Sequence, residues 1–181
     1  MKSITKCKVT AIVIVLVSST LAEANWPDWR GPSSDGHSDA KDLPLRWSET
    51  QNIVWKTPIH DLGYSTPVVW GEQIWLTTAT RKGERLYAVC VDLNSGRIIH
   101  DIDVFHPEKP QRIHRYNSYA TPSASIEEGF VYVHDGSHGT ACINTKPGKV
   151  VWRREDLHCA HLQGPVSSPL LYQDLLICPF E

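Results

Sequence analysis

Two kinds of hydrophobic pattern divide this chain. Residues 9–17 form an apolar run interrupted only by Thr10. The run follows Lys2, Lys6 and Lys8 and leads through Ser18, Ser19 and Thr20 to Ala22-Glu23-Ala24. A positive start, a short apolar stretch and a small-x-small site are the parts of an export signal. The run is too short to span about 30 Å of hydrocarbon. The pattern therefore predicts a signal peptide over 1–24, cleaved near Ala24/Asn25. Cys7 precedes the apolar run and no Cys stands just after the cleavage motif, which argues against a lipoprotein anchor.

After a polar stretch at 25–50 the pattern changes to short apolar segments rich in Val, Ile, Leu, Tyr and Trp. Gly, Asn, Asp and Pro separate them. Such segments read as β-strands joined by turns. They also recur. Ser65-Thr66-Pro67, Thr121-Pro122-Ser123 and Ser167-Ser168-Pro169 each precede an apolar strand, a polar turn and a second apolar run. A later half follows in two units: Leu86 to Asp92 before Asn94-Ser95-Gly96, and Thr140 to Asn144 before Lys146-Pro147-Gly148. Cys90 to Cys142 and Gly96 to Gly148 are each 52 residues apart, and so are His100 and Trp152. Pro67 to Pro122 is 55, which predicts a three-residue length difference in the first half of the unit. A unit of roughly 50 residues with about four strands is the repeat of a β-propeller blade. A stack of sandwich domains explains the regular spacing less well. The expected fold is all-β: a partial propeller over 51–181 behind an extension over 25–50. The 157 residues after cleavage hold about two and a half blades, so the chain is expected to be an N-terminal fragment forming an open arc.

Composition adds exclusions. The chain has 181 residues, 41% hydrophobic and 21% charged, which is ordinary for a globular protein. Net charge is −2, and −4 once the signal is removed, so nothing points to nucleic acid. Seven Trp stand against three Phe, and each large ring needs a packing role. Cys90, Cys142, Cys159 and Cys178 remain after cleavage. Export would expose them to oxidation, but Cys90 and Cys142 sit in apolar runs and read as small buried hydrophobes.

The turns carry a resemblance. Asp92…Gly96…His100 and Asn144…Gly148…Trp152 keep parts of an Asp-x-x-x-Gly-x-x-x-Trp pattern. This resembles the tryptophan-docking repeat of pyrroloquinoline-quinone-like propellers. The stretch Asn25-Trp26-Pro27-Asp28-Trp29-Arg30-Gly31-Pro32-Ser33-Ser34-Asp35-Gly36 is similar to the opening of exported planctomycete-type proteins of that family. The resemblance implies a ring like those of BamB-like assembly factors and quinoprotein alcohol dehydrogenases. It places Trp55 and Trp152 at docking positions and Gly96 and Gly148 in the docking turns. His100 stands where a docking Trp belongs, and Asn144 replaces an Asp. Trp26 and Trp29 are expected to pin the N-terminal segment, with Trp70 and Trp75 on blade faces.

Three readings of function follow. The leading one is a non-catalytic binding or scaffold module with a protein or saccharide partner, periplasmic or secreted, at most peripheral to the outer membrane. Its candidate face is the polar segment 106–119, where Arg112, His114, Arg115, Tyr116 and Asn117 are residue types enriched at binding surfaces. The second is a dehydrogenase using pyrroloquinoline quinone with calcium. In that family an adjacent Cys pair sits beside the cofactor, and this chain has none. Asp135 and Glu127-Glu128 show no calcium-loop pattern. The third is a metal-binding protein using His134, His138, His158 and His161, spaced i, i+4 and i, i+3. No Gly-x-Ser-x-Gly, His-Glu-x-x-His or Cys-x-x-Cys-His motif is present.

Overall fold

The computed structural model describes residues 25–180, so the signal expected over 1–24 lies outside the described residues. The described chain is all-β. Its first sheet is an antiparallel meander of β1 (Val68–Trp70), β2 (Gln73–Ala79), β3 (Leu86–Asp92) and β4 (Ile98–Phe105). A second meander follows with β5 (Ser125–Glu127), β6 (Phe130–His134), β7 (Thr140–Asn144) and β8 (Lys149–Arg154). A hairpin of β9 (Leu170–Tyr172) and β10 (Leu175–Ile177) stands third. Among the described residues no helix is long and apolar enough to cross a membrane.

The repeat in sequence is a repeat in register. Trp75 pairs with Cys90 and Cys90 with His100 in the first sheet. Tyr132 pairs with Cys142 and Cys142 with Trp152 in the second. Both ladders slip directly after the cysteine. The length difference is not where the proline spacing put it. β1 and β5 are offset by 57 residues rather than 55, because Pro67 abuts β1 and Pro122 stands three residues before β5. The units then differ by five residues, all between the second and third strands. The β2–β3 hairpin runs two pairs further, to Ala79 and Leu86.

One apolar cluster joins the sheets. Val68, Trp75, Ala88, Cys90, Val104 and Phe105 come from the first, and Ile126, Val131, Val133, Ala141 and Ile143 from the second. Trp75, expected on a face, is 1% exposed and lies at the centre of this cluster. Its Nε1–H donates to Gln73 Oε1, and Gln73 Nε2 donates to the Thr145 carbonyl across the interface. Burial pushes the Cys90 thiol up to about 12, so it packs as a neutral hydrophobe.

The recurrent small-small-Pro motif has a structural task. The Thr66 N–H donates to Ser123 Oγ at 2.8 Å, and the Ser123 N–H donates to Ser168 Oγ at 3.0 Å. Each motif thus hands one hydrogen bond to the next, along the edge where β1, β5 and β9 begin. The N-terminal segment lies along the same edge. Trp26 exchanges two backbone hydrogen bonds with Val69, and the Pro27 carbonyl accepts from Ile126 N–H. Trp26 therefore pins the segment as expected. Trp29 does not: it is 54% exposed, with the Arg30 guanidinium 4.9 Å from its ring.

A ring also sits over a glycine turn in each sheet. Trp55 covers Gly96, where an added Cβ would lie 2.6 Å from the indole. Its Nε1–H donates to the Leu93 carbonyl at 2.8 Å. In the second sheet His100 covers Gly148 and stacks on Trp75, with ring centroids 5.8 Å apart. The histidine thus stands over the next turn where the sequence pattern places a tryptophan. Both glycines have positive φ, +70° and +62°, which L side chains adopt only at a cost. Trp152 is 38% exposed, its ring 6.2 Å from that of Tyr132.

Candidate binding groove

The connections β4–β5 (106–124) and β8–β9 (155–169) occupy corresponding places in successive units and are tied to each other. The His114 N–H donates to the Gln163 carbonyl at 3.1 Å. Asn117 Nδ2 donates to the Gln163 and Pro165 carbonyls, and Asn117 Oδ1 accepts from Thr121 Oγ1 and the Ser118 N–H. Asn117 is therefore a brace within the platform, its polar atoms already engaged. Between the two connections lies an open cavity of about 420 Å³, lined by Arg112, Ile113, His114, Arg115, His161 and Leu162. This is the size range of small-ligand sites.

The groove is cationic. Arg112 and Arg115 carry fixed charge, and no carboxylate is among the lining residues. Arg115 is held by Tyr116: its guanidinium lies 4.5 Å from the ring, and Nη2 donates to the phenol oxygen at 2.7 Å. Of the five residues named for this face, Arg112, His114 and Arg115 line the cavity and Tyr116 orients one of them. His161, named for another role, supplies the opposite wall.

Gln111, next to Arg112 of the lining, ties the two connections together. Its Nε2 donates to Ser137 Oγ (2.7 Å) and the Cys159 carbonyl (3.0 Å), and its Oε1 accepts from the His161 N–H (3.0 Å). Its carbonyl accepts from Tyr119 Oη, and its N–H donates to His138 Nε2 at 3.1 Å. Since His138 Nε2 accepts, its proton lies on Nδ1 and goes to Asp135 Oδ2 at 2.7 Å. Burial pushes the Asp135 carboxyl up to about 7, while the hydrogen bond from His138 pulls the other way.

This Asp–His pair is closed to outside ligands. The two side chains are 4% and 6% exposed, and the outward nitrogen of His138 is occupied by Gln111. Ser137 Oγ is bound to Gln111 rather than to His138. The arrangement braces a loop; it has no free base beside a nucleophile. A polar node of this kind leaves no motif in sequence, because Gln111, Asp135 and His161 come together only through the fold.

The four candidate metal ligands do not converge. His134 ends β6, with Nδ1 2.8 Å from Thr140 Oγ1. Burial brings it down to about 4, against a backbone hydrogen bond at Pro179 and with the charge of His161 adding to the effect. His138 faces Asp135, His161 Nε2 accepts from the Ser137 N–H, and His158 is exposed. Among the described residues no group of three or more His, Cys, Asp or Glu is placed to hold a metal ion. No protein-family model matches the chain, and no curated protein matches it.

Proposed function

We propose that this chain is part of an exported, non-catalytic binding module of the quinoprotein-like propeller kind, and that its loop groove holds an anionic group of a protein or saccharide partner. The carrying observation is the groove itself: two arginines and two histidines around about 420 Å³, with no acid in the lining. Support for the propeller arrangement comes from the paired meanders, their 52-residue register and the ring-over-glycine contacts. The inaccessible Asp–His pair favours binding over catalysis.

The test is calorimetry on the exported product of the full chain. The probes are an oligogalacturonate, its methyl-esterified counterpart and an oligoglutamate, each at low and at physiological salt. An acidic probe is expected to bind, and to weaken as salt screens the groove. The double variant Arg112→Ala/Arg115→Ala is expected to lose at least about tenfold in affinity, the equivalent of one charge-assisted hydrogen bond. Equal binding of the neutral ester, or no binding of either acid at low salt, refutes the reading. Stoichiometric uptake of pyrroloquinoline quinone with calcium and dye-linked alcohol oxidation would establish a dehydrogenase instead.

A further inference from the structure

Thr78 and Asp135 both line one small space between the first and second sheets. Thr78 lies in the extra length of the β2–β3 hairpin, and Asp135 follows directly on β6. They are 2% and 3% exposed. Both line this small space of about 10 Å³, whose walls include Leu86, Val104, Phe105 and Tyr119. Thr78 Oγ1 and Asp135 Oδ1 are buried there, and neither has a hydrogen-bond partner in the protein. A buried hydroxyl or carboxylate oxygen left so costs about 1–3 kcal/mol or more. Space of this size, with polar atoms facing it, is what one water molecule requires.

The surroundings decide which hydrogen bonds are open. Asp135 Oδ2 already accepts from His138, whose other nitrogen is taken by Gln111. The titratable groups facing Asp135 are His138 on its own loop, Tyr119 from the β4–β5 connection, Tyr87 from β3 and His134 from β6. No Lys or Arg lines the space. In its charged form Asp135 needs a donor at Oδ1, and no cation lines the space to supply one.

We propose that this inter-sheet space is a binding site for one water molecule, which donates to Asp135 Oδ1 and accepts from Thr78 Oγ1. The extra hairpin length of the first sheet then has a purpose: it carries a hydroxyl to the one carboxylate buried between the sheets. The water joins the first sheet to the Asp135–His138–Gln111 chain, whose Gln111 ties the two connections around the groove.

A crystal structure of the full exported chain at about 1.5 Å or better tests this directly. It should show a water within about 2.6–3.2 Å of both atoms. An empty space, or Thr78 bonded straight to Asp135, overturns the proposal. In solution, Thr78→Val keeps the side-chain shape and removes the hydroxyl. The Asp135 carboxyl, followed by carbon NMR, should then titrate about half a pH unit or more higher, because the charged form loses its donor. Thr78→Ser keeps the hydroxyl and should leave that midpoint in place. A Ser variant that shifts like the Val variant, or a Val variant that does not shift, also overturns it.

Discussion

Neighbouring residues His134 and Asp135 should pull the pH dependence of stability in opposite directions. Asp135 is raised from 3.8 to about 7 by burial, so between those values the folded protein holds a proton that the unfolded chain has lost. Its contribution is full below pH 3.8 and is lost as pH rises through 7. Summed over the window, the loss is about 4 kcal/mol. His134 is lowered from 6.5 to about 4, also by burial, so between those values the unfolded chain holds the extra proton. Its contribution is full above pH 6.5 and is lost as pH falls through 4, by about 3 kcal/mol. From pH 4 to 6.5 the two slopes nearly cancel, and the wild type shows little dependence from this pair. Asp135→Asn removes one of them while keeping an oxygen for the His138 Nδ1–H. Urea unfolding followed by tryptophan fluorescence, at steps from pH 4 to 7, supplies the comparison. Subtracting the variant curve from that of the wild type cancels every other titration. The difference should fall by about 4 kcal/mol across the window. The variant alone should become about 3 kcal/mol more stable between pH 4 and 6.5 from the His134 contribution. A flat difference curve would refute the reasoning, since it would mean that Asp135 titrates alike in the folded and unfolded chain.

Two further outcomes follow from the packing. Gly96→Ala meets both a left-handed backbone, φ +70°, and the Trp55 ring, and should cost roughly 2–4 kcal/mol. Gly129→Ala, at φ +85° with nothing within 4 Å, should cost only about 1 kcal/mol; equal losses in urea unfolding would mean the ring contact contributes nothing. Gln111→Ala removes three side-chain hydrogen bonds between the loops and should lower the local opening free energy by about 2 kcal/mol. Amide exchange at His161 should then run roughly thirtyfold faster, and an unchanged rate would show that Gln111 does not hold the platform.

Strand content was legible because it depends on local chemistry. Leu86 to Asp92 and Thr140 to Asn144 are apolar runs closed by turn residues, and each forms one central strand. The 52-residue register was equally plain, since a ladder that slips after Cys90 and again after Cys142 preserves spacing. The length difference was misplaced because proline marked the wrong boundary. What the prolines share is the hydrogen bond that their neighbouring Ser or Thr passes between sheets, and that bond tolerates a slip against the strand. The sequence places Trp75 on a blade face, but does not say which one. A tryptophan on a strand alternates like any other residue, and which face becomes interior depends on a second sheet that the strand does not encode.

The groove shows the other side of that limit. Arg112, His114 and Arg115 could be picked out because exposed loop residues act through their own type and charge. The polar node around Gln111 could not, because each of its members looks ordinary alone. Gln111 reads as a solvated loop residue, Asp135 as a turn residue and His138 as one half of a metal pair. Their meaning comes from occupancy: Gln111 fills the outward nitrogen of His138, and His138 fills one oxygen of Asp135. The His138 that the sequence offers as a metal ligand is therefore already engaged in the fold. A histidine whose nitrogens are both engaged inside the protein has no lone pair left for a substrate. What remains at the surface is the charge of Arg112 and Arg115, beside a buried network whose own polar atoms are already engaged.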